Sequence, residues 1–523
     1  MITEKKESRK NLKICFWLTA CLLVLSAVPF FAPQADWRVK AALFAGQIVL
    51  LAPLLYYARP VLRRGRQLLF SGIPSMSGLA FASCTGGLIA SVAAGISSVH
   101  GAANLNSLLF APLALMLLII FAADYAKEQS GLAEPVEDES ELPEKTAAFV
   151  LPVVFALAIA AALSWWFYGL GAAAAWQVLG SVLIAAGAGV FMLGESLPLY
   201  YAAQKAQSQG YRFNDAASAA NSRQLTMAVF DESFIQTGEQ EITDVIGVST
   251  SEAQLLALAA AVTSAAGWSQ AVLLQKEAAG MELPVCSNVI KLRGGITAQC
   301  SRKNIRLGRL AFVAGVANIP PEFAKCEADF NAQGKTVFYI TAGRALLGII
   351  AIGQRIDMGI TPALTELAAL GVRTVMFAGG GKQAAEYAGS KAGFAQTVAE
   401  LTEEHQKELA ETFCRAGEFL AVLKRGNAAE VQVVFYSRQA AQSGGLVLMD
   451  GKINNLAEAI KQSKKLQKLC RQNNRIALWL GGVWVLTAAC VWPLVYKSVL
   501  PGAVLAVMLM FSVLAVWLNS RHL

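Results

Sequence analysis

Eight apolar stretches constrain this chain more than any other feature of its sequence. A helix needs about 20 predominantly apolar residues to cross about 30 Å of hydrocarbon. Six stretches meet that length: residues 14–31, 41–57, 105–123, 146–168, 177–200 and 476–495. A seventh, 500–518, lies at the end of the sequence, and an eighth, 76–96, is rich in Gly and Ser but holds no charge over 21 residues. Composition agrees: 15% of the 523 residues are charged, against about 25% in soluble domains. A single soluble globule and a disordered chain are both excluded.

Basic residues set the expected orientation. Lys5, Lys6, Arg9, Lys10 and Lys13 precede the first stretch, and Arg59, Arg63, Arg64 and Arg66 follow the second. Segments 97–104 and 169–174 have neither Lys nor Arg. The positive-inside rule places the N-terminus in the cytosol, and eight spans return the C-terminus to the same side. The first stretch has no clear small-residue cleavage site, so it reads as an anchor. The net charge of +8 is assigned to cytosolic loops; lipid is an expected partner and nucleic acid is not. Residues 58–74 combine Pro60, Gly65, four arginines and leucines, which fits either an interfacial amphipathic helix or a basic loop.

The nine cysteines (15, 21, 84, 286, 300, 326, 414, 470, 490) form no CxxC and no paired spacing. A disulfide framework, a zinc finger and a CxxC metal module are therefore not expected. Cys15 and Cys21 read as packing residues of the first stretch, and His100 as a solvated loop residue.

Two regions remain for the cytosol. Residues 124–146 are acidic, with Asp124, Glu128, Glu134, Glu137, Asp138, Glu139, Glu141 and Glu144, and read as a solvated linker. Residues 201–475 are long enough for one or two domains. A strand pattern at 227–230 ends on Asp231. Further strand-like runs follow at 336–341 and 347–352, then a helix at 361–370, a strand at 374–377 and another at 419–423. This βαβ rhythm implies a parallel sheet, and ligands bind at the carboxyl ends of such strands. Asp231, Ala378–Gly381 and Lys424–Asn427 stand at such ends. A helical run at 252–265 and strands near 288–292 and 305–307 suggest a second lobe inserted into the first. The expected divisions are 1–123 (four spans), 124–146 (loop), 147–200 (two spans), 201–245 with 342–475 (parallel-sheet domain), 246–341 (inserted lobe) and 476–523 (two spans).

In this order the chain resembles the heavy-metal P-type ATPases of the P1B, copper-type branch, over nearly its whole length. Met227–Asp231 resembles the nucleophile strand of that family, Ile305–Arg309 a strand of its nucleotide lobe, and Gln333–Val337 and Gly348–Ala351 the return from that lobe. Leu370–Met376 resembles the next helix–strand join, Arg471–Asn473 the entry to the penultimate span, and Asn519–Ser520 the exit of the last. The resemblance implies eight transmembrane helices plus an α/β HAD-like phosphorylation domain with an inserted α+β nucleotide lobe. It also implies ATP and Mg²⁺ as cofactors, a soft metal such as copper as cargo, and a bacterial inner membrane.

Several family motifs are altered here. The D-K-T-G-T motif reads Asp231–Glu232–Ser233–Phe234–Ile235, and T-G-D reads Ala378–Gly379–Gly380. The hinge aligns with Lys424–Arg425–Gly426–Asn427, putting Arg425 where a magnesium carboxylate belongs, and His405 stands near the expected lysine. A cation at that point repels Mg²⁺ or stands in for its charge and holds an anion. The adenine-contacting S-E-H-P aligns with Ser264–Gly267, and G-x-G with Arg293–Gly294–Gly295. The acidic loop replaces the actuator domain with its T-G-E motif, and C-P-C becomes Gly189–Val190–Phe191. Met508 is the one soft-ligand candidate in the last span, where packing is the alternative.

The candidate site is accordingly Asp231 as nucleophile, relic or cap, with Gly294, Gly295, Gly379, Arg425 and Gly426 for a nucleotide or anion. The glycines at 379–381 read as an anion-binding loop or a simple turn. The expected function is a P1B-like protein without turnover, acting as scaffold or regulator of an active transporter or assembly partner. The alternatives are a functional copper-type pump and a nucleotide or anion sensor.

Overall fold

The computed structural model describes every residue except 1, 32–35, 100–107, 133–140, 427–429, 438–444 and 523. His100, Asn427 and the acidic run from Glu134 to Glu139 lie outside the described residues. The chain divides into two compact units: Met1–Arg223 with Gly444–Val447 and Glu458–Leu523, and Gln224–Ser443 with Leu448–Ala457.

In the first unit, eight helices among the described residues are long and apolar enough to cross a membrane. They are Arg9–Pro29, Trp37–Tyr57, Met76–Ser98, Phe110–Ser130, Thr146–Gly169, Ala172–Ser208, Asn454–Tyr496 and Gly502–Ser520. Each of the eight apolar stretches falls in one of them. Three details differ from the sequence reading. Asp124 and Glu128 continue the fourth helix to Ser130, so the acidic linker is shorter than 124–146. The penultimate span is the end of a helix that begins at Asn454. The sixth is two helices, Ala172–Ala185 and Ala188–Ser208, broken at Gly187 with φ +69°. Residues 181–190 are all buried, which fits the rule that irregular backbone at membrane depth survives only inside protein.

Small residues let these helices approach. A Cβ at Gly86 or Gly87 would lie 2.7 Å from Leu183 or 2.8 Å from Ile184, so helix Met76–Val99 packs against Ala172–Ala185 with little side chain between. Ser83 Oγ also donates to the Leu183 carbonyl at 2.7 Å. The basic segment after the second span is a helix, Arg59–Phe70, with its arginines exposed and Phe70 81% exposed. Pro60 opens this helix and does not break it, because the first turn needs no N–H from it. Gly65 does not break it either: a Cβ there would come within 2.1 Å of the Ser77 carbonyl oxygen. The loop alternative is thereby discarded.

Asn473, fully buried, ties three helices together. Its Nδ2 donates to the Gly194 carbonyl at 2.8 Å and to Ser520 Oγ at 2.9 Å, and Asn519 Nδ2 donates to its Oδ1 at 2.8 Å. Replacing Asn473 by Ala leaves these groups unpaired out of water, a loss of about 1–3 kcal/mol. Asn473→Ala is expected to lower the melting temperature of the detergent-solubilised protein, and an unchanged melt would contradict this account.

The strands are β1 (Tyr211–Phe213), β2 (Met227–Asp231), β3 (Gln236–Gly247), β4 (Cys286–Leu292), β5 (Gly295–Cys300) and β6 (Lys303–Gly308). After them come β7 (Thr336–Ala342), β8 (Ala345–Ile356), β9 (Arg373–Phe377), β10 (Gln396–Val398), β11 (Leu420–Arg425), β12 (Val431–Tyr436) and β13 (Gly445–Leu448). β1 and β13 pair in the first unit.

The second unit holds two sheets. In one, β11, β2, β9 and β10 run parallel in that order, and β12 lies antiparallel beside β11. β2 reads Met-Ala-Val-Phe with every residue buried, as a central parallel strand covered on both faces requires. The other sheet, in the order β3-β8-β7-β6-β5-β4, is antiparallel throughout. The runs 336–341 and 347–352 belong to this second sheet, not to the βαβ alternation. β3 and β8 pair along their lengths, so the inserted lobe's sheet extends beyond 246–341 on both sides. Strong β-branched runs carry no mark of parallel or antiparallel partners, which is why the edges were misplaced.

The lobe contains an ion pair whose cation is buried and whose carboxylate is partly exposed. Lys335, its side chain 7% exposed, places Nζ 2.7 Å from Asp244 Oδ2 and 5.0 and 5.4 Å from the ring centroids of Phe330 and Tyr387. Burial pushes the Asp244 carboxyl up, but Lys335 and the Thr243 hydroxyl outweigh it and hold it below the ordinary value of 3.8. A depressed folded value stabilises fully above the unfolded one and is lost as pH falls through it. Asp244→Asn is therefore expected to lower the melting temperature at neutral pH, with the gap to the parent chain closing below about pH 4. A gap that persists undiminished there would refute the pair's contribution.

Candidate functional site

β2, β9 and β11 are adjacent and parallel, so their carboxyl ends open side by side. Asp231 ends β2 opposite Phe377 of β9, and Lys424 and Arg425 end β11. The three strand ends expected to converge therefore do, as far as the described residues run. Asp231 Oδ1 accepts a hydrogen bond from the Ser233 N–H at 2.9 Å and caps the short turn Glu232–Phe234. Phe234 is buried, edge-on to Phe230. The Arg425 guanidinium lies 5.3 Å from the centroid of the Phe234 ring. Two residues that the sequence reading singled out as departures from the family pattern, Phe234 and Arg425, thus lie side by side.

A cavity of about 310 Å³ opens here, lined among others by Asp231, Ser233, Glu403, Lys407, Lys424 and Arg425. Three cations face two carboxylates. Mg²⁺ takes oxygen ligands and needs carboxylates not already opposed by cations. Among the described residues no three His, Cys, Asp or Glu side chains gather as metal ligands. The residues present do not fit Mg²⁺.

The glycine loop is a turn held by its neighbours: Ala378 N–H donates to Val398 O, Glu400 N–H to Gly380 O and Leu401 N–H to Ala378 O. A Cβ at Gly379 or Gly380 would sit 4.0 or 3.9 Å from a Glu232 carboxylate oxygen, and that negative charge opposes an anion there. Gly426 N–H closes a turn onto Glu430 O at 2.8 Å. His405 is exposed on helix Glu403–Arg415, whose cap Thr402 accepts its backbone N–H.

Gly294 and Gly295 are not brought to this cavity; they form the β4–β5 turn of the inserted lobe. Gly294 has φ +95°. A Cβ at Gly295 would come within 2.3 Å of the Phe312 ring and 2.6 Å of the Leu307 carbonyl oxygen. Packing alone requires this glycine. At the S-E-H-P positions, Ser264 Oγ donates to Ala260 O and accepts from Gln275, while Gly267 turns the chain at φ +59°. These positions offer no carboxylate or imidazole, so they do not fit adenine as the family pattern would. Met508 is half-buried against the helical core, and its carbonyl accepts from Ser512 Oγ. At the C-P-C position, a Cβ on Gly189 would lie 3.1 Å from Met116 O, which explains a small residue there and supplies no thiolate.

Three features escaped the sequence reading. Cys286 and Cys300 form a disulfide, although nothing in the cysteine spacing suggested pairing; they stand directly opposite across β4 and β5. The Gly187 break has a faint signal in the run Ala-Ala-Gly-Ala-Gly. Glu195, a carboxylate inside the sixth span, is legible in the sequence as an intramembrane charge. Gly295→Ala is expected to destabilise the lobe by about 1–3 kcal/mol through overpacking, read as a lowered melt of the full-length protein. An unaffected melt would remove the packing explanation.

No family model matches the sequence. The chain is 26% identical over 379 residues to a probable copper-exporting P-type ATPase of Archaeoglobus fulgidus, covering 69% of this chain and 46% of that one. It is 22% identical over 413 residues to a copper-exporting P-type ATPase of Bacillus subtilis, covering 76% and 50%. The chain thus spans about half the length of the curated relatives it matches. Among solved structures, a zinc-transporting PIB-type ATPase in the E2·Pi state superposes with a TM-score of 0.67 at 15% identity, covering 97% of this chain and 99% of that one. In sequence this chain is similar to heavy-metal P-type ATPases, and in fold to a PIB-type one, so it is a P-type ATPase-like membrane protein.

Proposed function

We propose that this protein is a P1B-like membrane protein without ATP turnover, serving as scaffold or regulatory partner of an active transporter or an assembly protein. One observation carries the reading. The guanidinium of Arg425 is seated on Phe234 at the mouth that Asp231 shares, where phosphoryl transfer to a carboxylate needs a divalent ion. Lys407 and Lys424 on the same cavity add to the repulsion of Mg²⁺. The loop that stands where the family has its actuator domain supports the same reading, because it has no T-G-E motif. The basic residues at 5–13 and 59–66 support cytosolic termini, and bacterial relatives among those matched agree with a bacterial inner membrane.

A copper-type pump is the competing reading, supported by the names of the curated relatives and by the retained Asp231. The two separate on one experiment. Full-length protein is incubated with γ-labelled ATP, Mg²⁺ and Cu(I), then quenched in acid. No acid-stable label is expected on the parent chain. Label that disappears in Asp231→Asn would overturn the proposal and establish the pump. Affinity purification in mild detergent is expected to recover a stoichiometric membrane partner.

A further inference from the structure

The segment Cys286–Arg309 holds six basic residues and no acidic one: Lys291, Arg293, Arg302, Lys303, Arg306 and Arg309. Such a one-signed surface attracts anions. Within it, β5, β6 and β7 align Thr297, Arg306 and Thr341 in a single cross-strand row. Their neighbours Ile296, Ala298, Ile305, Leu307 and Ile340 pack with Leu255 and Ala259 of helix Glu252–Ala265. Side chains alternate along a strand, so the row lies on the sheet's other face, away from the S-E-H-P positions at the end of that helix.

Three observations on this row point to a ligand. The hydroxyls of Thr297 and Thr341 are buried, and neither has a hydrogen-bond partner. Arg306 between them is half-buried, 5.9 Å from the Phe312 ring centroid, and among the described residues it forms no ion pair. A cavity of about 290 Å³ lies against the row, lined by Asn288, Thr297, Gln299, Asn304 and Arg306 among others. Asn288 adopts φ +52° at an irregularity in the β4–β5 pairing, and its Nδ2 donates to Gln299 Oε1 at 3.1 Å. The Cys286–Cys300 disulfide holds the same strand pair. A buried hydroxyl without a partner is expensive to keep, and a guanidinium without a carboxylate partner retains the donor fork that suits bidentate recognition of an oxyanion.

We propose that Thr297 and Arg306 bind the phosphate group of a small anionic ligand in this cavity, with the guanidinium and the Thr297 hydroxyl as donors. The proposal is independent of the reading of Asp231 and Arg425.

Full-length protein in detergent is titrated by calorimetry with inorganic phosphate and, separately, with AMP. Saturable binding is expected for the parent chain. Arg306→Gln should weaken it by about tenfold or more, and Thr297→Val by a smaller factor. Arg415→Gln, an exposed change outside both cavities, should leave it unchanged. Equal affinity for the two probes identifies the free anion as ligand, and tighter AMP identifies an organic phosphate; either supports the site. No saturable binding of either probe overturns it. So does binding lost in Arg425→Gln and kept in Arg306→Gln. Melting temperatures of all variants are compared first. If Arg306→Gln does not fold, Thr297→Val with Arg306→Lys decides, and undiminished affinity in both overturns the proposal.

Discussion

A polar group taken out of water must find a partner, and that requirement organises both units of this protein. In the membrane-spanning unit it is met at Asn473, whose amide joins the carbonyl of Gly194 to Asn519 and Ser520. Apolar side chains in lipid give helices little reason to choose one neighbour over another. A buried amide with three specific partners supplies that choice, and Gly194 and the small residues Gly86 and Gly87 let the backbones come close enough to use it. The break at Gly187 obeys the same rule, since the irregular backbone is wrapped in protein.

In the second unit the requirement is met at Lys335 and Asp244 and left open at Thr297 and Thr341. The contrast is informative. Lys335 is more deeply buried than Arg306, yet it has a carboxylate and two aromatic faces. Arg306 has one aromatic face and hydroxyls on either side with nothing to bond. Around Asp231 the balance is different again. Charge is abundant there, but the cations outnumber the carboxylates, and the arginine lies beside the Phe234 ring.

Much of the architecture was legible in the sequence. The eight apolar stretches became eight spanning helices because length and hydropathy are local properties that lipid reads directly. The parallel core was legible from β2, β9 and β11, since buried strands followed by Gly or charge leave a clear pattern. The motif pairs Arg471–Asn473 and Asn519–Ser520 were visible only as family-like fragments; their contact through Asn473 was not. Segment 58–74 stayed ambiguous because Pro60 and Gly65 read as breakers, whereas one starts a turn and the other permits a crossing. Strands β3 and β8 were assigned to the wrong side of the lobe's boundary because pairing partners are absent from local pattern.

By itself the sequence determined the number of apolar stretches, the expected cytosolic side, an arginine at 425 and the absence of cysteine at 189–191. Each depends on residue identity at a position. Tertiary structure alone decided that Arg425 rests on Phe234 beside Asp231, that Cys286 meets Cys300, and that Thr297, Arg306 and Thr341 share one row. Those facts depend on strand register and on which face a side chain takes. Residues far apart in the chain acquire chemistry in common only when the sheet sets them side by side.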